Sequence, residues 1–204
     1  MTLYCATGNP GKLREFRLAG QRFGIDILAL PAFERLAPCE ETGRTFEENA
    51  TRKAAYYGRH APGLLFADDS GLEVDALEGA PGVVSARYAG AGATDAMNNA
   101  LLMGNMRGRE NRSARFVCVI ALANRGELIR TFRGRVEGKI LEAPRGTAGF
   151  GYDPLFYFPP YGRSFGEISL EEKMAVSHRG RALTALFRYL SDSPQARRGA
   201  KPAS

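Results

Sequence analysis

Four short segments of this 204-residue chain combine residue types that do chemistry. The first is Thr7-Gly8-Asn9-Pro10-Gly11-Lys12. Its two glycines let a backbone approach a ligand closely. The helix expected to follow turns its N–H groups and positive dipole end toward an anion, and Lys12 adds a full charge. Together these features hold phosphates. A Walker A loop does not fit, because Gly8 and Gly11 are too close and Leu13 stands where a Ser or Thr holds magnesium. The plainer alternative is a strand-to-helix turn with an exposed lysine.

The second segment, Asp68-Asp69-Ser70-Gly71, is expected as an acidic turn at the end of a buried strand. Two adjacent carboxylates repel unless something compensates. Successive strand residues point to opposite faces, so the two acids have different jobs. One orients or caps; the other binds Mg2+ or accepts a proton. A local Asx turn is the simpler reading. Glu40-Glu41 alone is a solvated surface pair, but with Asp69 it completes an oxygen cage for Mg2+, which uses few protein carboxylates.

The third and fourth segments lie late in the chain. Gly149-Phe150-Gly151-Tyr152-Asp153 puts two aromatic rings on a glycine-flexed loop, a stacking face for a base, with Asp153 as a hydrogen-bond acceptor. A buried aromatic loop is the rival. Lys173, with Ser177-His178-Arg179-Gly180 after it, forms a basic cluster suited to a polyanion or to purine carbonyls, against a structural histidine and an ordinary surface arginine. Lysine is scarce, five against 23 arginines, so Lys12, Lys53 and Lys173 stand out.

These segments need a scaffold. Residues 3–6 read as a strand running into the Thr7 loop, 12–23 as an amphipathic helix and 25–30 as a second strand. Thr45 and Glu48 match a capping box, opening a helix to about His60. Residues 64–67 form a short strand, 72–93 are irregular, and Thr94 caps a helix to about Met106. Residues 115–123 and 127–136 are strands joined by the hairpin signal Asn124-Arg125-Gly126. Residues 144–153 form a Gly-rich loop, and 177–190 a final helix with Leu183, Leu186, Phe187 and Leu190 on one face. Strands alternating with helices, then a hairpin, predict an α/β fold with a mixed sheet. Ligands of such sheets bind beyond the carboxyl ends of strands, where the Thr7 loop and the Asp68 turn both fall.

The apolar fraction of 44% suits an ordinary folded protein. Length favours one domain over 1–192 with two lobes, followed by a basic, disordered tail over 193–204. No apolar run is long enough for a membrane span, and the polar N-terminus does not read as a secretory signal. Three dispersed cysteines predict free thiols and a cytoplasmic setting. The net charge of +6 raises a nucleic-acid-binding module as a rival, but the basic residues are scattered and no binding motif accompanies them.

In this order, the segments resemble the inosine triphosphate pyrophosphatase family. The Thr7–Lys12 loop is similar to its opening signature, and Ala67-Asp68-Asp69-Ser70-Gly71-Leu72 to its acidic segment. Gly79-Ala80-Pro81-Gly82 with Ser85-Ala86-Arg87-Tyr88 resembles its next motif, and Gly149 to Asp153 and Ser177 to Gly180 resemble its base-recognition segments. The likeness runs from about residue 2 to 190. Ala91-Gly92 departs from it, standing where the family often carries acids.

The resemblance implies an elongated mixed sheet flanked by helices, with two lobes around a central substrate cleft. It implies Mg2+-dependent hydrolysis of ITP, dITP and XTP to monophosphate and pyrophosphate by a homodimer, which clears deaminated purines from the nucleotide pool. It assigns phosphate contacts to Thr7, Gly8, Asn9, Pro10, Gly11, Lys12, Ser70 and Lys173, with Lys53 a further candidate. Mg2+ falls to Glu40 and Asp69, with Glu41 competing for the first role. Asp69 is the proton acceptor for water. Base contacts fall to Phe150, Gly151, Tyr152, Asp153, His178 and Arg179. No nucleic acid or membrane partner is implied. A pyrophosphatase of modified pyrimidine nucleotides is the nearest alternative.

Overall fold

The computed structural model describes residues 1–193. The expected basic tail lies outside the described residues from 194 onward. The strands are β1 (Thr2–Cys5), β2 (Asp26–Ala29), β3 (Leu65–Val74), β4 (Ser113–Asn124), β5 (Glu127–Ile140), β6 (Phe156–Phe158) and β7 (Arg163–Ser164). They form one sheet in the order β2-β1-β3-β4-β5-β6-β7. β1 runs parallel to β2 and β3, while β5–β6 and β6–β7 are antiparallel, so the sheet is mixed as expected. The helices are α1 (Pro10–Gln21), α2 (Phe46–Gly58), α3 (Asp95–Asn105), α4 (Leu170–Val176) and α5 (His178–Asp192). No helix among the described residues is long and apolar enough to cross a membrane.

Two compact units divide the chain. Unit 1 holds Met1–Asp69, Cys118–Gly134 and the chain from Arg179; unit 2 holds Ser70–Val117 and Arg135–His178.

In unit 1, Leu3 and Cys5 of β1 are fully buried, and the strand's parallel pairing with β2 and β3 releases the chain into α1. The start of α1 is set locally. Asn9 is extended, and its Oδ1 accepts the Lys12 N–H at 3.0 Å, while Pro10 occupies the first turn, where its missing N–H costs nothing. Phe16 meets Phe66 edge-on at 4.9 Å. α5 buries Leu183, Leu186, Phe187 and Leu190, the stripe its sequence period predicts. At α2, Thr45 accepts from Glu48 N at 3.1 Å, but the Glu48 carboxylate takes the N–H of Arg44 rather than of Thr45. The predicted capping box is therefore half formed.

Unit 2 packs Leu72, Leu102, Phe116, Phe156 and Phe165 in one core, with Phe116 and Phe156 rings 4.5 Å apart. Burying a side chain of this kind contributes about 1.5–3 kcal/mol. Thr94 caps α3 as its sequence predicts.

Two local expectations fail, and one helix was not anticipated. The acidic turn is not a turn: β3 continues through Asp68 and Asp69 to Val74. Each carboxylate finds cations on its own side of the strand, so neither has to fold back on local N–H groups. Residues 72–93 are more ordered than their Gly and Ala content suggests, with 3-10 turns at Asp75–Leu77 and Gly82–Arg87. The last helix is preceded by α4, closed at its start by the reciprocal Ser169–Glu172 capping box.

Candidate active site

Asp68 and Asp69 are both buried, at 3% and 6% exposure, and they face different partners. On one side Lys12 Nζ lies 3.0 Å from Asp68 Oδ1 and 2.9 Å from Oδ2. Arg179, itself buried, approaches Asp68 Oδ2 at 3.6 Å and also pairs with buried Glu15 of α1. Burial alone would raise the Asp68 carboxyl, but Lys12, Arg179 and Lys53 outweigh it and hold it at about 2. The Cys118 thiol points at the same carboxylate, and burial next to that charge pushes it up to about 12.

On the other side Lys53 Nζ lies 3.1 Å from Asp69 Oδ1 and 3.2 Å from Glu41 Oε1. Asn49 donates its Nδ2 to Asp69 Oδ2 at 3.1 Å and accepts from Gly43 N at 2.8 Å. It thereby ties Asp69 to the loop that carries Glu40 and Glu41. A Cβ on Gly43 would stand 2.5 Å from Asn49 Oδ1, so that approach needs glycine. Burial raises the Asp69 carboxyl above its ordinary range despite Lys53. For Lys53, burial works downward, but Asp69, Asp68 and Glu41 hold it above its usual value. The adjacent acids are thus driven apart, Asp68 downward by its cations and Asp69 upward by burial.

The residues fit a hard divalent cation in their donor chemistry. Asp69 and Glu41 already converge on one ammonium group, and the exposed Glu40 is next along the loop. Among the described residues no group of three or more acids, histidines or cysteines gathers in one place.

Gly8, Asn9 and Pro10 are exposed at the start of α1, Thr7 is partly so, and Thr7 Oγ1 accepts from Asn9 N at 3.2 Å. Neither Gly8 nor Gly11 uses a left-handed conformation. The loop's shape comes from the Asn9 cap rather than from glycine freedom. Ser70 is partly exposed and begins unit 2.

In unit 2, Lys173 is buried against Asp153, and its ammonium lies 4.8 Å from the centre of the Phe150 ring. Asp153 also accepts the Phe150 N–H at 2.9 Å. Gly149 sits at φ +77°, and a Cβ there would meet Asp153 Oδ2 at 2.1 Å. Tyr152 is buried and donates its hydroxyl to Ser85 O at 2.8 Å. His178 is buried and stacks on Phe116 at 4.7 Å. Sequence reasoning grouped Lys173 with the phosphate contacts and Arg179 with the base contacts. The structure places Lys173 beside the aromatic loop, and Arg179 in unit 1 with Asp68 and Glu15.

Asn49 and Glu15 were missed. A signal existed. Phe46, Asn49, Ala50, Lys53, Ala54 and Tyr57 form the buried stripe of α2, and Gly11, Glu15, Phe16 and Ala19 that of α1. A polar side chain on a stripe destined for the core needs a partner.

These features define an α/β protein with a cationic helix start, a cation-locked aspartate and a pair of oxygen donors beside it. The Ham1 family model matches residues 3–189, and the chain belongs to that family. It is 52% identical over 204 residues to a dITP/XTP pyrophosphatase of Thermus thermophilus, covering 98% of this chain and 97% of the relative. It is 49% identical over 199 residues to the dITP/XTP pyrophosphatase of Acidobacterium capsulatum, covering 93% and 98%. The solved HAM1 protein of Coxiella burnetii superposes with a TM-score of 0.84 at 39% identity, covering 95% of this chain and all of the other.

Proposed function

We infer that this protein hydrolyses dITP, XTP and ITP to the nucleoside monophosphate and pyrophosphate, removing deaminated purines from the nucleotide pool. Family membership over nearly the whole chain supports the reaction. The observation that carries its chemistry is Asp69, a buried carboxylate held above its ordinary range and steered by Lys53 and Asn49.

Residues 7–12 take the phosphates, with Lys12 supplying charge and Asp68 fixing where that charge sits. Ser70 adds a hydroxyl. Asp69 orients the attacking water and accepts its proton. Mg2+ is held by Asp69 and by one acid of the neighbouring pair, Glu40 or Glu41; Glu40→Gln and Glu41→Gln, titrated separately with the metal, tell them apart. When bound, Mg2+ offsets charge on the phosphate oxygens and lowers the pKa of a coordinated water.

The base falls to Phe150, Gly151, Tyr152 and Asp153, steadied by Lys173 and His178, with Arg179 set through Asp68. Donors aimed at a 6-oxo group accept hypoxanthine and xanthine and oppose the adenine amine, because a mismatch leaves buried groups unpaired. The enzyme works as a homodimer in the cytoplasm, on small nucleotides rather than on nucleic acid or membranes.

Asp69→Asn tests the assignment. Pyrophosphate release from dITP should fall by about a thousandfold or more, as for loss of a proton acceptor and a metal carboxylate together, with the circular dichroism spectrum unchanged. Substantial residual turnover would remove Asp69 from the role.

A further inference from the structure

Within unit 2 the aromatic loop 149–153 is closed internally between Phe150 and Asp153 and is gripped from outside at Gly151. Gly151 adopts φ +62°, and both polar groups of its backbone are taken by α3. Asp95 Oδ2 accepts the Gly151 N–H at 2.6 Å, and Asn99 Nδ2 donates to the Gly151 carbonyl at 2.9 Å. Asp95 and Asn99 are four residues apart and so share one helix face. Between them Asn98, 3% exposed, accepts from Ala89 N at 2.8 Å and donates to Ala86 O at 3.2 Å, which fixes α3 against the preceding segment. That segment also provides the Ser85 carbonyl that receives the Tyr152 hydroxyl. The Gly151 backbone, between Phe150 on one side and Asp153 on the other, is therefore held from α3, more than fifty residues away in the chain.

We propose that Asp95 and Asn99 are positioning residues for base recognition: together they grip the N–H and the carbonyl of Gly151 and so set the geometry in which Phe150 to Asp153 meet the purine. This rests on the reading that the loop contacts the base. Asp95 is exposed and Asn99 half-buried, so neither is a core residue whose loss would unfold the protein. A purely structural role predicts a small change in melting temperature and no selective kinetic effect. A positioning role predicts weaker substrate binding with the chemical step preserved.

The test measures kcat and KM for ITP, together with the melting temperature, for Asp95→Ala, Asn99→Ala, the double variant, Asp95→Asn and Phe150→Ala. Each single alanine variant should raise KM about tenfold, the value of one strong hydrogen bond, with kcat held within about twofold and the melting temperature within about 2 °C. The double variant should lose less than the two singles combined, because both side chains fix the same residue, Gly151. Asp95→Asn keeps an acceptor and should recover most of the loss. If Phe150→Ala raises KM while the α3 variants leave it unchanged, or lower kcat instead, the positioning role is overturned and the base reading stands. If Phe150→Ala also leaves KM unchanged, the base reading itself has failed.

Discussion

Replacing Asp68 by Asn tests the electrostatic frame of the site without touching the proposed base. The Asp68 carboxyl is 3% exposed, stands between Lys12 and Arg179, and is held at about 2 against an ordinary value of 3.8. Its folded pKa lies below its unfolded one, so its contribution to stability is complete above about pH 4 and is lost as pH falls through 2. The displacement corresponds to about 2 kcal/mol. Removing one member of a buried ion pair costs about 3–5 kcal/mol, because the remaining cations stay buried. The two routes bracket roughly 3 kcal/mol, and for a chain of this size each kcal/mol moves the melting temperature by about 2–4 °C. Asp68→Asn should therefore melt about 10 °C below the parent at pH 7. Melts followed by circular dichroism from pH 8 to pH 3 should show the gap shrinking to roughly half at pH 3, because the unfolded parent's carboxyl takes up a proton there while the folded one stays ionised. A gap under about 2 °C at pH 7, or one that stays constant down to pH 3, would refute the reasoning.

Other perturbations read other parts of the site. Lys53→Met removes the cation shared by Asp69 and Glu41, so kcat for dITP should drop about a hundredfold, with the fold retained by circular dichroism; a loss confined to KM would argue against the arrangement. Gly149→Ala forces a Cβ against Asp153 at a backbone angle that favours glycine, and KM for ITP should rise about tenfold or more; an unchanged KM would show that the loop does not need this shape. Burial, with Asp68 adding to it, pushes the Cys5 and Cys118 thiols up to about 12, and both side chains are fully buried. Iodoacetamide should alkylate the partly exposed Cys39 in the native protein and reach the other two only in denaturant, which mass spectrometry of peptides checks.

Much of this architecture was legible in the residues. Periodicity gave α5 its buried stripe and Thr94 marked the start of α3, because each depends on local chemistry alone; the Asn9 cap that opens α1 at Pro10 reads as loop in the sequence. That Asp68 and Asp69 meet different partners followed from strand alternation. The length of β3 was not legible. Asp and Gly are poor strand formers, and only cations brought by α1, α2 and α5 make Asp68-Asp69 tolerable in a central strand. The role of Asn49 was hidden for the same reason: its partners, Asp69 and Gly43, are joined to it by folding rather than by spacing. Lys173 and Arg179 were recognisable as important residues, yet which anion each meets is a tertiary property.

The central claim is selection of deaminated purine triphosphates. Pyrophosphate release with Mg2+ from dITP, XTP, dATP and dGTP, and from a modified pyrimidine triphosphate, measured side by side, tests it most directly. The account predicts kcat/KM for dITP and XTP at least about a hundredfold above the other three. Comparable turnover of all five, or a preference for the pyrimidine, would contradict it.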